Sequence, residues 1–142
     1  MVEAFSLRGL GLLAASWEQN PPFAGDAAFA KAIRQYRVNL IDKYRNAADP
    51  ALVADMGVWF RWKRTVLEHS ALSEVEGPAI LGILAELESD MACVEDLGAL
   101  NRWPGRSGVP LEDYLTLWQA SCTEIGARGR LPVRLRTLFR LG

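Results

Sequence analysis

Histidine is nearly absent from this chain: His69 is the only one among 142 residues. A Ser–His–Asp or Cys–His arrangement would have to run through that single imidazole, and nothing local supplies its partners. Cysteine is as sparse. Cys93 and Cys122 both fall at apolar positions of expected helices, so they read as buried reduced thiols of a cytoplasmic protein. Two cysteines in separate helices with one histidine cannot build a zinc site of ordinary spacing. No glycine-rich phosphate loop is present, since Gly9-Leu-Gly11 lacks the third glycine and a preceding strand. No run approaches the roughly 18 apolar residues of a membrane span. Glu3 and Arg8 deny Gly9 to Ala15 the positive flank of a signal peptide. Repeats and low-complexity segments are missing too. These absences leave no catalytic residues, no cofactor and no metal site to assign, and they point to a non-catalytic protein without a membrane partner.

Lysine is also scarce: thirteen of the sixteen cations are arginine, the residue suited to carboxylate and phosphate forks. The formal net charge of −1 hides a strong segregation. Residues 1–66 hold nine Lys/Arg and six Asp/Glu, residues 67–125 hold two and eleven, and residues 126–142 hold five arginines and no acid. Half the residues are hydrophobic, so a packed core is expected, and the length suits one domain.

Helical periodicity dominates. Residues 2–17 read as a short helix weakened by Gly9 and Gly11 and ended by Asn20-Pro-Pro22. Over 27–46, Phe29, Ile33, Tyr36, Leu40 and Tyr44 form one stripe expected to face the core. Lys31, Arg34 and Arg45 lie opposite it, with Arg37 at the edge. Asp49-Pro50 opens a helix expected over 50–69. There Leu52, Val53, Met56, Trp59, Phe60, Val66 and Leu67 share a face, Lys63 intrudes on it, and Trp62 falls outside it. Gly77-Pro78 starts a helix expected to run unbroken over 78–99 on Ile80, Leu84, Leu87, Met91 and Val94. Glu86, Glu88, Asp90, Glu95 and Asp96 would form its solvated outer face. A loop with a Pro104-Gly105 turn leads to a helix over 110–125 carrying Leu111, Tyr114, Leu115, Trp118, Cys122 and Ile125.

The fold expected is therefore all-α: a compact bundle of four to five helices over 1–126, followed by a basic C-terminal tail over 127–142. Two surfaces carry functional expectations. If the helices at 27–46 and 50–69 pack antiparallel, Lys31, Arg34, Arg37, Arg45, Arg61, Lys63 and Arg64 merge into one patch. That patch would grip RNA or DNA backbone without sequence preference, with Trp62 stacking on a base. The tail, which could hold a short helix from Pro132, would either extend that nucleic-acid surface or use Arg128, Arg130, Arg134, Arg136 and Arg140, interleaved with Leu135 and Phe139, to dock on an acidic face, of another subunit or of a second copy. The interleaved apolar residues favour a protein or intramolecular contact over a free basic arm. The chain thus reads as a small helical subunit of a larger assembly. In size and charge layout it is compatible with a ribonucleoprotein such as an RNA-guided defence complex, though no motif carries a family resemblance. The alternative is a protein–protein adaptor, inhibitor or phage assembly factor that uses the acidic face or the tail without nucleic acid.

Overall fold

The computed structural model describes residues 1–69, 77–103 and 108–142, and every regular element among them is a helix. These are α1 (Val2–Gln19), α2 (Ala27–Asn46), α3 (Pro50–Val53), α4 (Met56–His69), α5 (Gly77–Ser89), a 3₁₀ segment (Met91–Ala99), α6 (Leu111–Glu124) and α7 (Arg130–Leu138). The expected connection after Ser70, the Pro104-Gly105 turn and the side chains of His69 and Leu52 lie outside the described residues. The all-α expectation holds; the expectation of four to five helices does not.

The extra elements come from aspartates that cap helices inside runs of unbroken apolar periodicity. Asp49 accepts from the N–H of Ala51 and starts α3 where the helix over 50–69 was expected to open. Asp55 accepts from the N–H groups of Gly57 and Val58 at 3.0 and 3.1 Å, so α4 starts afresh where one helix was expected over 50–69. Asp90 accepts from the N–H of Ala92 and ends α5. The chain then tightens to about three residues per turn, and the buried positions become Cys93, Asp96 and Ala99. This change of period is why Met91 is 70 % exposed although a continuous α-helix would place it in the core.

α1 and α2 form an antiparallel hairpin. Glu18 pairs with Arg34, Leu7 with Arg37 and Glu3 with Tyr44, so residue numbers rise along one helix as they fall along the other. The lower half of this hairpin packs on α5. Gly77 admits the close approach: a Cβ there would lie 2.7 Å from the Tyr44 carbonyl oxygen. The central core joins Leu7, Trp59, Phe60, Ile80, Leu84, Leu87, Leu115, Trp118, Leu131, Leu135 and Phe139.

Leu131, Leu135 and Phe139 belong to the C-terminal segment, and each is buried. The expected basic tail is therefore a core helix with arginines on its outer side. Arg140 closes α7 in the left-handed region at φ 50 and reaches Asp55 at 2.7 Å. Its aliphatic stem lies where a Cβ on Gly57 would fall, at 2.7–2.8 Å.

Two expectations follow for stability. Leu135→Ala should destabilise the protein by about 2–5 kcal/mol in urea denaturation. Truncation after Gly126 should abolish the cooperative thermal transition followed by circular dichroism; a truncated chain that still melts cooperatively would contradict this placement of α7.

Candidate functional site: charged networks and exposed faces

The most deeply held polar group is Asp96, which is fully buried. Its Oδ1 accepts from the Gly129 N–H at 2.8 Å and its Oδ2 from the Leu131 N–H at 2.7 Å. Both donors lie at the start of α7, where N–H groups have no partner within the helix. Gly129, with φ 64, turns its N–H into the core. The Asp96 carbonyl accepts from the Trp118 indole N–H at 2.7 Å and from the Cys122 thiol at 3.8 Å. Burial, reinforced by the Asp96 charge, pushes the Cys122 thiol up to about 11. Cys93 is raised by burial as well, and both thiols are free. They are therefore protonated core groups at neutral pH. Asp96 was expected on a solvated acidic face; the three-residue period of its segment turns it inward.

Two more residues of that acidic face, Glu86 and Asp90, meet arginines of α7 in the same chain. Arg130 pairs with Asp90 at 2.8 Å, and Arg134 with Glu86 at 2.8 Å and Asp90 at 3.6 Å. The Arg130 hydrogen bond, aided by the Ala92 N–H, holds the Asp90 carboxyl below its usual range. Arg136 donates to the Glu112 carbonyl at 2.7 Å and to the Thr116 hydroxyl. Of the seven residues assigned to partner docking, Leu135 and Phe139 are core, and Arg130, Arg134, Arg136 and Arg140 are engaged within the chain. Arg128 is exposed and makes no ion pair among the described residues.

The eight residues assigned to nucleic acid separate into two groups, because α2 packs on α1 and α5 and makes no extended contact with α4. On α2, Arg34 pairs with Glu18 at 2.6 Å and Arg45 with Asp42 at 2.8 Å. Arg37 is half-buried, donating to the Leu7 carbonyl at 2.8 Å and pairing with Glu88 at 2.6 Å. Lys31 is exposed and unpaired among the described residues.

On α4, Arg64 grips Glu112 with both terminal nitrogens, at 2.7 and 2.6 Å, and also pairs with Glu68. Glu68 in turn accepts from the Leu111 N–H, so this cluster caps α6 and ties it to α4. The Arg64 hydrogen bonds hold the Glu112 carboxyl below its ordinary 4.5. Three residues of the predicted patch stay together at the surface. Arg61 is exposed, Trp62 is 65 % exposed, and the Lys63 ammonium sits 4.1 Å above the Trp62 ring. That stacking resolves the conflict of a lysine on the apolar arc.

The stripe on α2 supplies what the sequence reading missed. Phe29 and Tyr36 are 53 % and 57 % exposed, and Ile33 is half-buried. Ala30 and Arg37 face α1 in their place. On α1, Leu10, Leu13 and Trp17 recur at spacings of three and four, with Leu13 exposed and the other two half-buried. Trp17 meets Phe29 edge-on, with ring centroids 6.3 Å apart. The outer half of the hairpin thus carries one continuous apolar face two helices wide. A smaller apolar cavity of about 190 Å³ lies elsewhere, between Met1, Val2, Phe5 and the 3₁₀ residues Val94, Leu97 and Leu100. Among the described residues no cluster of three metal-ligating side chains occurs, and no helix is long and apolar enough to cross a membrane. No protein-family model, curated protein or solved structure matches the chain.

Two measurements test these networks. Asp96→Asn replaces one acceptor by a donor facing a backbone N–H, and should destabilise the fold by roughly 2–4 kcal/mol in urea denaturation. For Glu112 the folded pKa lies below the unfolded one. Its contribution is therefore complete above the ordinary 4.5 and is lost as pH falls through the folded value. The melting temperature should drop on acidification below about pH 5, and Glu112→Gln should flatten that part of the profile; an unchanged slope would remove Glu112 from the acid-labile set.

Proposed function

We propose that the chain is a non-catalytic helical subunit of a larger cytoplasmic assembly, and that it joins that assembly by protein–protein contact. The observation that carries this reading is the apolar face on the α1–α2 hairpin, where Leu13, Phe29 and Tyr36 stand exposed beside Leu10, Trp17 and Ile33. A face of this kind is of the size of the largest apolar patch on a typical monomer, about 300–600 Å², and such patches are often binding sites. The charged groups argue the same way. Arg34, Arg37, Arg45 and Arg64 hold carboxylates of their own chain, which leaves fewer cations for a phosphate backbone.

A second reading keeps a nucleic-acid contact at Arg61, Trp62 and Lys63. An exposed indole beside two cations has the composition of a stacking platform for a single strand.

A photo-crosslinking residue at Tyr36, introduced into the full chain in cells, should give a protein adduct on irradiation; the absence of any adduct would sink the hairpin reading. Fluorescence anisotropy against single-stranded RNA, single-stranded DNA and duplex DNA tests the second. Salt-sensitive binding that Trp62→Ala weakens about 5- to 100-fold would support it, and no binding at low salt would end it.

A further inference from the structure

We infer that the partner of the hairpin face is a second copy of this chain, the two hairpins forming an intermolecular antiparallel four-helix bundle. This rests on the hairpin reading above and names its occupant.

The shape of the face comes first. It is a strip two helices wide, with α1 and α2 already antiparallel. Another such strip completes a four-helix layer. A two-fold axis lying across the helices sets α1 on its own copy and α2 on its own copy, each antiparallel. Every neighbouring pair of helices then runs antiparallel, the arrangement that helix dipoles favour, and the interface is isologous.

The register follows from α2. With the axis passing between Arg34 and Gln35, Ile33 meets the partner copy's Tyr36, and Phe29 meets its Leu40. The same register brings Asp26 opposite Lys43 of the other copy, twice over. Neither makes an ion pair among the described residues, and the Asp26 side chain accepts no capping hydrogen bond. Within one chain the two stand seventeen residues apart, about 25 Å at 1.5 Å per residue, so they cannot pair intramolecularly. One register thus matches apolar to apolar and opposite charge to opposite charge.

The area suffices. Phe29 at 53 % and Tyr36 at 57 % exposure each leave about half of the 150–250 Å² that a large aromatic side chain can bury, or ~100 Å². With the smaller shares of Leu10, Leu13, Trp17 and Ile33, the face comes to roughly 400 Å² per copy and ~800 Å² for the pair. A standard interface of about 1,600 Å² is roughly 56–65 % apolar, so this face supplies most of the apolar part such a dimer needs.

The test is sedimentation equilibrium of the full chain over a wide concentration range. A species of twice the 15.7 kDa chain mass is expected, and Tyr36→Asp should return it to the monomer mass with unchanged helical circular dichroism. The register is tested by charge exchange. Asp26→Lys or Lys43→Glu alone should weaken dimerisation about tenfold, two exposed pairs being reversed in each dimer. The double variant should restore the affinity to within about threefold. A chain that remains monomeric throughout overturns the inference; if the Tyr36 crosslink then captures a different protein, the hairpin reading survives and only its occupant was wrong. A dimer that neither Tyr36→Asp nor the charge exchange affects also overturns it.

Discussion

Two N–H groups at the start of α7 point into the protein interior and end on the two oxygens of one buried carboxylate, Asp96. Left without acceptors they would each cost about 1–3 kcal/mol, and a buried carboxylate without donors would cost more. Together they resolve both problems, with the negative group at the positive end of the helix dipole. The same residue holds Trp118 and Cys122 through its main-chain carbonyl. One position therefore sets the 3₁₀ segment, α6 and α7 relative to each other. Once α7 is seated, Leu131, Leu135 and Phe139 close the core, and Arg130 and Arg134 come to rest over Asp90 and Glu86.

That seating joins part of the acidic middle to part of the basic end, Asp90 and Glu86 to Arg130 and Arg134. Arg64 with Glu68 and Glu112 makes a similar charged contact between α4 and α6. Exposed pairs of this kind contribute little each, about 0–1 kcal/mol. They also bear on recognition, because a guanidinium fork that holds a carboxylate must exchange it before it meets a phosphate. Among the described residues, the hairpin of α1 and α2 carries an exposed apolar face, and α4 carries one small cationic and aromatic cluster.

Much of the fold was legible because it depends on local periodicity and capping. The stripe Ile80, Leu84, Leu87 is buried as its spacing predicts, and Leu115, Trp118 and Cys122 likewise. Trp62 was legible as an exposed aromatic. Asp90 and Asp96 were misread, and Asp55 passed over, for one reason. In a continuous α-helical count each is an ordinary charged residue in a helix interior, whereas each caps a new helix start, Asp96 from a distance of more than thirty residues. The apolar stripe of α2 was misread because periodicity reports that a face is apolar and says nothing of what covers it. Upper α2 packs through Ala30 and Arg37, one face round from Phe29 and Tyr36, because Ala30 and the Arg37 stem let α1 come close.

The sequence by itself determined the helical character of the chain and most of the inward faces, since both rest on residue types and on spacings within about two turns. Tertiary structure alone decided which charges meet, which aspartates cap distant helices, and which apolar stripe stays open. Those outcomes depend on pairings between residues thirty to eighty positions apart, such as Arg8 with the Leu87 carbonyl and Arg134 with Glu86, and nothing in the local order of the chain specifies them.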